Sequence, residues 1–128
     1  MKTNLTPEQS QRLIELGVDP SKASDFEELD VTDPNDPNQF LELEYYRLFT
    51  LSDILSLLPK EIANEDGDPY GLQMDYDNKW EACYFNWVNF TMVCMEGSMH
   101  SEFAPELIDA LFELLCWTLT RSKNEKSE

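Results

Sequence analysis

The feature that most constrains the fold of this chain is an apolar pattern close to the C-terminus, over residues 105–119. At about 100° per residue, its large apolar side chains share one wide arc of a helix, opposite Asp109 and Glu113. The arc consists of Leu107, Ile108, Leu111, Phe112, Leu114, Leu115 and Leu119. Because this arc is too broad for a helix on the surface, we expect the main helix of the core, lying across a sheet. Residues 122–128 are expected to be a polar tail.

The sheet is predicted from two strand patterns on either side of a tight turn. Residues 70–76 and 79–85 are rich in aromatic and apolar side chains, and Asp77-Asn78 between them is typical of a hairpin. A further strand is expected near residues 90–95. Together these patterns predict an antiparallel meander of three to four strands.

Shorter signals precede the hairpin. Thr6, Pro7 and Gln9 form the pattern of a capped helix start, Gly17 offers a left-handed stop, and one more turn is expected through about Ala23. Leucine or tyrosine then alternates with glutamate over residues 41–45, which predicts a half-buried strand.

A second helix is expected after this strand. Thr50 is placed to cap it, with Asp53 three residues later, and Pro59 is expected to end it. Its apolar face is expected to consist of Leu51, Ile54, Leu55 and Leu58.

The fold class that these signals predict is α+β, in a single domain spanning residues 1–128. A small antiparallel meander is packed by the C-terminal amphipathic helix and the second helix. The predicted order is an N-terminal helical segment (1–24), an acidic loop (25–39), the α+β core (40–121) and the tail. A chain of this length can bury roughly 65–70% of its unfolded surface, enough for one core without disulfides or a structural metal.

Charge is the feature that bears most on function. The chain has 26 Asp and Glu against 9 Lys and Arg, a formal net charge of −17. So strong a field repels nucleic acid and anionic membranes and favours a cationic partner. The first acidic series is Asp25, Glu27, Glu28, Asp30, Asp33 and Asp36, and the second is Glu61, Glu65, Asp66, Asp68, Asp75 and Asp77.

Residues 30–38 form a loop that completes the first acidic series. They contain two successive Asp-Pro-Asn triplets, which favour turns because proline bars the preceding residue from a helix. Two interpretations of this loop stay open, a solvated linker and an acidic binding loop. Residues 1–7 have no apolar signal region, and no stretch approaches the roughly 18 apolar residues of a membrane span. The protein is therefore expected to be soluble and cytoplasmic.

The residues that could carry chemistry form few recognisable patterns. Cys83, Cys94 and Cys116 are odd in number and lack metal-binding spacing, so buried reduced thiols are expected, with a Cys83–Cys94 pair as the alternative. His100, the single histidine, is expected in a loop. No Gly-rich phosphate loop, serine-hydrolase elbow or zinc-protease helix is present.

A calcium loop is the strongest metal pattern in the sequence. Asn64, Asp66 and Asp68 have the required spacing, but Pro69 replaces the glycine of the turn and Asp75 the final glutamate. No catalytic, cofactor or metal site is therefore predicted.

Several of these segments also resemble a known group of proteins. Residues 49–62 (FTLSDILSLLPKEI), the strand pair and residues 106–117 (ELIDALFELLCW) are similar to small uncharacterised proteins of gut bacteria and their phages or mobile elements. The opening Leu5-Thr6-Pro7-Glu8-Gln9 is similar to theirs as well. The resemblance covers most of the chain and implies no activity, so it carries over no functional residue.

The function expected from the sequence is that of a non-enzymatic acidic interaction protein, an inhibitor or accessory factor that binds a basic protein partner. The most specific form of this hypothesis is a protein that mimics the charge of nucleic acid. Direct binding to nucleic acid or membrane is not expected. The alternatives are a structural or self-associating module without such a partner and an enzyme of unrecognised type. Trp117 is either a core-edge residue or an interface anchor. The candidate binding residues are Glu27, Glu28, Asp30, Asp33, Asp36, Asp66, Asp68 and Trp117.

Overall fold

The computed structural model describes residues 1–30, 32–35, 43–86 and 98–126 and shows the predicted α+β fold. Within these residues, two antiparallel sheets are present, a two-stranded ribbon and a four-stranded meander. The helices are α1 (Pro7–Glu15), α2 (Leu51–Leu57) and α3 (Leu107–Lys126), with a 3-10 turn at Pro20–Lys22. The ribbon consists of β1 (Asp25–Asp30) and β2 (Leu43–Leu48). The meander consists of β3 (Glu61–Ala63), β4 (Pro69–Asp77), β5 (Lys79–Phe85) and β6 (Ser98–Ala104).

The predicted hairpin forms the centre of the meander. Strands β4 and β5 pair from Gly71 opposite Phe85 to Asp77 opposite Lys79, and Asn78 turns between them with a φ of 63°. Asparagine tolerates this left-handed conformation better than most residues. On the other side of β5 lies β6, with Ala82 opposite Glu102. The strand expected near residues 90–95 falls outside the described residues.

Helix α3 packs against β5 and β6 and forms the wall of the core. As predicted, Leu111 and Leu115 are fully buried, with 0% and 1% of their surface exposed. Beneath them, Ala82 and Tyr84 of β5 are both 0% exposed. The Tyr84 hydroxyl donates to the Pro59 carbonyl at 2.8 Å, which ties the strand to the end of α2. Helix α2 itself packs against α3.

The N-terminal segment closes this core from one side. Thr6 and Gln9 form the predicted capping box of α1, and Gly17 has the expected positive φ of 106°. The buried hydroxyl of Ser10 accepts a hydrogen bond from the backbone N–H of Phe49 at 3.2 Å. Lys2 donates to Asp109 at 2.7 Å, which joins the start of the chain to α3. These contacts fix α1 beside the root of the ribbon.

Two predictions about the acidic region are wrong. Residues 25–30 were expected to begin a loop, but they form β1, in which Asp25 lies opposite Leu48 and Asp30 opposite Leu43. Carboxylates are poor strand formers, yet the pairing of all six β1 residues with β2 and the contact of Phe26 with Tyr45 outweigh that preference. Tyr45 was expected on the buried face of a strand over residues 41–45, but it is 61% exposed in β2. The side chains of Leu41 and Leu43, the rest of that expected face, lie outside the described part of the chain.

Smaller corrections concern three other places. His100 lies in β6 rather than in a loop, and Leu55 is 36% exposed rather than on the buried face of α2. Helix α3 continues through Lys126, so most of the predicted tail is helical. The helix bonds of a well-packed N-terminal half propagate at low cost into the polar end. In the described part of the chain, no helix is long and apolar enough to cross a membrane.

Candidate protein-binding surface

One face of the ribbon combines exposed rings with carboxylates. Phe26 lies opposite Arg47 and Glu28 opposite Tyr45, so alternate residues place these side chains and Asp30 on one side, here called the outer ribbon face. Phe26 is 56% exposed and Tyr45 is 61% exposed. Their ring centroids lie 5.7 Å apart at an interplanar angle of 61°, an edge-to-face pair. The two rings therefore form one apolar patch that water still reaches.

The opposite face of the ribbon lies beside α1. Here Tyr46, paired with Glu27 across the strands, faces Pro7 and Glu8. These four side chains line a depression of about 250 Å³. Pro7, Glu8 and Tyr46 also line an adjoining open depression of about 380 Å³ together with Gln11 and Glu15, and the two depressions are here called the acidic groove. Glu8, Gln11 and Glu15 are spaced three and four residues apart, and such residues share one side of a helix.

The carboxylates in and beside the acidic groove act on the hydroxyl group of Tyr46. The Tyr46 hydroxyl donates to Glu44 at 3.0 Å. This hydrogen bond and the charge of Glu44 raise the pKa of Tyr46, and the carboxylates of Glu27 and Glu8 raise it further. The carboxylates that oppose the ionisation of Tyr46 create a local negative potential. This potential favours a bound cation.

The end of the ribbon that adjoins the core, around Asp25 and Leu48, holds both faces in place. The Asn4 amide donates to the Asp25 carboxylate at 2.6 Å, and Leu5 donates its backbone N–H to the Phe49 carbonyl at 2.9 Å. Leu48 and Phe49, at the end of β2, are 8% and 0% exposed. The ribbon is thus anchored in the core at one end, while its outer face stays in solvent.

The predicted binding residues do not come together at one place. Glu27, Glu28 and Asp30 lie on β1, and Asp33 lies just beyond it. Asp36 falls outside the described residues. The remaining acidic candidates, Asp66 and Asp68, lie in the turn between β3 and β4 of the other sheet.

This β3–β4 turn has a local explanation for its acidic spacing. The Asn64 side-chain oxygen accepts from the backbone N–H of Asp66 at 2.9 Å and of Asp68 at 2.8 Å. Such bonding is what short polar side chains contribute to turns. Among the described residues, no three His, Cys, Asp or Glu side chains are grouped to hold a metal ion.

Trp117 lies on α3, at the edge of the core, and is half-buried. Its ring stacks on His100 at a centroid distance of 4.3 Å and an angle of 5°, and the Arg121 guanidinium lies 5.6 Å from the ring centre. His100 in turn contacts the Glu102 carboxylate at 2.7 Å. These contacts place Trp117 in the packing between α3 and β6 and apart from the acidic candidates on β1.

The two described thiols lie in apolar surroundings. Cys83 is buried and Cys116 is half-buried, and both are free. Burial, with a smaller contribution from Glu81, raises the pKa of Cys83 to about 11. Burial, aided by Glu113, likewise raises that of Cys116 to about 11. Both groups are therefore protonated and poorly nucleophilic near neutral pH. Cys94 lies outside the described residues.

A second acidic depression lies on the meander and differs from the groove in one respect. Asp75, Asp77 and Glu81 line it together with Phe103 and Lys79, around about 300 Å³. The Lys79 ammonium lies 4.9 Å from the centre of the Phe103 ring. This depression thus already contains a cation of the chain itself.

Several residues of the candidate surface were not found from the sequence. Phe26 fell in the expected acidic loop, Tyr45 on the buried face of the strand expected over residues 41–45, and Tyr46 just after that strand; Glu8 and Glu15 were not among the candidates. The available signal was that both ribbon segments place aromatic residues next to carboxylates, as in Phe26-Glu27 and Glu44-Tyr45. The comparisons with known proteins add no site, since the chain matches no protein-family model, no curated protein and no solved structure.

Proposed function

We propose that this protein is a non-enzymatic interaction protein that binds a basic protein partner through the ribbon. The observation that carries the proposal is the exposed Phe26–Tyr45 pair on a face that also holds Glu28 and Asp30. Tyrosine and phenylalanine are over-represented at protein interfaces. The rings supply the contact area. Glu28 and Asp30 outnumber Arg47, which lies on the same face, so the face favours a basic partner.

The net charge of −17 supports this direction of recognition. Long-range attraction raises the association rate of an oppositely charged partner, and salt screens it beyond a Debye length of about 8–10 Å. Two copies of the chain repel each other instead, which disfavours the alternative of self-association through the same face. The ribbon is therefore better suited to a basic partner than to a second copy.

The test is affinity capture from the native cell extract at low and high salt. One variant neutralises the ribbon by Glu27→Gln, Glu28→Gln and Asp30→Asn. A control makes the same change of charge elsewhere, at the exposed positions Glu61→Gln, Glu65→Gln and Asp66→Asn. Both variants should keep the stability of the parent, because exposed charges contribute little to folding.

The two variants should differ in what they capture. We expect a basic protein that is retained at low salt, reduced at high salt, and lost with the ribbon variant but not with the control. Equal loss with both variants would indicate a general charge effect without a ribbon site. Capture that is indifferent to salt and to the ribbon variant would contradict the proposal, and concentration-dependent dimers of the parent chain would favour the self-associating module.

A further inference from the structure

We propose that the acidic groove between α1 and the ribbon is a pocket for one lysine or arginine side chain of the basic partner. This inference rests on the proposed function and adds to it a defined position and a defined ligand chemistry. It concerns the face of the ribbon opposite to the Phe26–Tyr45 pair.

The lining of the groove has the two parts that such a side chain requires. The ring of Tyr46, which is 37% exposed, and the ring of Pro7 provide apolar surface for the aliphatic stem. Glu8, Glu15 and Glu27 surround these rings with carboxylates for the charged end. Long basic side chains bury their stems while keeping the charge near polar groups, and a cation is also attracted to an aromatic face.

The size of the groove suits a side chain better than a larger element. The larger depression of the groove has a volume of about 380 Å³, which lies at the lower end of the range for small-molecule pockets. The groove also opens to solvent between a helix and a strand pair, so an extended segment can pass over it while one residue points inward.

Among the described residues, no lysine or arginine side chain of the chain lines the groove. The Lys2 ammonium is bonded to Gln9 at 2.9 Å and to Asp109 at 2.7 Å, on the side of α1 that faces α3. Arg47 lies on the outer ribbon face. Arg12 is exposed on α1, four residues after Glu8, but is not among the residues that line the groove. The depression on the meander differs, since Lys79 lines it. Charge complementarity therefore singles out the groove as the place for a cation from another molecule.

The experiment titrates the full chain, labelled for NMR, with capped Gly-Ser peptides that have one central residue. Lysine and arginine peptides are the probes, and norleucine and citrulline peptides are their neutral controls. We expect the charged peptides to shift the signals of Glu8, Glu15, Glu27 and Tyr46 first, and the neutral ones to shift them at least about fivefold less at equal concentration.

Two pairs of variants keep the interpretation tied to the groove. Glu27→Gln should weaken binding of the lysine peptide about two- to fivefold, whereas Glu28→Gln, on the other face of the same strand, should change it little. Tyr46→Leu should weaken binding by a similar factor, whereas Tyr45→Leu should not. Each pair changes the same chemistry at neighbouring positions, so net charge cannot produce the difference, and far-UV circular dichroism checks that each variant is folded.

Failure of this inference is distinguishable from failure of the proposed function. Equal effects of Glu27→Gln and Glu28→Gln, or equal shifts with lysine and norleucine peptides, would overturn the pocket. Capture of a basic protein could then still depend on salt and on the Phe26–Tyr45 face. Shifts spread evenly over the acidic turns of the meander would likewise contradict a built pocket and indicate only diffuse attraction.

Discussion

The side chains of β5 and of β1 alternate between two faces in the same way, but the two strands lie in different environments. In β5, alternate side chains point at α3, and Ala82 and Tyr84 are 0% exposed. In the ribbon, alternate positions place Phe26 and Tyr45 on one face, yet they are 56% and 61% exposed. Alternation thus tells which residues share a face. Whether that face is buried depends on an element that covers it, and α3 does so for the meander alone.

This difference separates the part of the molecule that stabilises the fold from the part available for binding. A wide apolar helix face on a sheet removes a large area from water, which is the main favourable term of folding. The exposed ribbon rings contribute mainly a cross-strand contact. They can therefore be changed at little cost in stability, as expected of an interaction surface.

The largest effect is expected in the covered region. Leu111→Ala removes fully buried methyl groups and leaves a cavity between α3 and the sheet, which should lower the free energy of unfolding by about 2–5 kcal/mol. Tyr45→Ala, the matched truncation in the ribbon, should lower it by less than about 1 kcal/mol. Urea unfolding followed by far-UV circular dichroism measures both. Equal losses would mean that the ribbon contributes to the core.

A smaller effect is expected from acid. Burial alone would raise the pKa of Asp109, but the hydrogen bonds from Lys2 and Gln9 and the Lys2 charge outweigh it and lower the pKa from 3.8. A lowered folded-state pKa means that the contribution of Asp109 is present above the unfolded-state value and is lost as the pH falls through the folded-state value.

A pH series of unfolding free energies for the parent and for Asp109→Asn measures this contribution. The parent should lose more stability than the variant over the acid range below its unfolded pKa. Asp30→Asn is the comparison, because hydrogen bonds with Thr32 also lower the pKa of Asp30. This carboxylate is exposed on the ribbon, so its contribution should be smaller than that of Asp109. Parallel curves for the parent and Asp109→Asn would show that the link between the N-terminus and α3 does not stabilise the fold.

The two described thiols, one on β5 and one on α3, should show how well the core region is shielded from solvent. Cys83 is 3% exposed and Cys116 is half-buried, and burial raises the pKa of both to about 11. We expect both to react slowly with a maleimide in the native protein, Cys83 more slowly than Cys116, and rapidly in urea. Single-cysteine variants followed by mass spectrometry distinguish them. Native labelling at the rate of a free peptide thiol would contradict the described packing.

The core could be predicted from the sequence because its signals are local and agree with one another. The apolar arc of α3, the Asp77-Asn78 turn and the Thr50 cap each specify an element that the neighbouring elements require. The sequence was less informative for the ribbon. Its pairing joins residues 25–30 to 43–48 across a long connection. Residues 25–30 were interpreted as the start of a loop because their carboxylates have no basic residue between them and run into the Asp-Pro-Asn turns.

The candidate site was harder to predict than the fold. Glu27 and Glu28 are adjacent in the sequence, but the pleat sends them to opposite faces, one toward α1 and one beside Tyr45. Glu27 lines the same depression as Glu8 of α1, and this placement depends on how the ribbon is anchored at Phe49. Such a contact between distant segments has no signature in composition or spacing.

The central claim is that the exposed aromatic pair of the ribbon binds a partner and does not stabilise the fold. The most direct measurement compares the double variant Phe26→Ser, Tyr45→Ser with Met74→Ser, Tyr76→Ser, which removes exposed apolar side chains from the meander. Capture of the basic protein and the melting temperature are measured for each. The account predicts that only the ribbon variant loses capture, with its melting temperature little changed. Full capture by the ribbon variant, or loss that occurs only through unfolding, would contradict it.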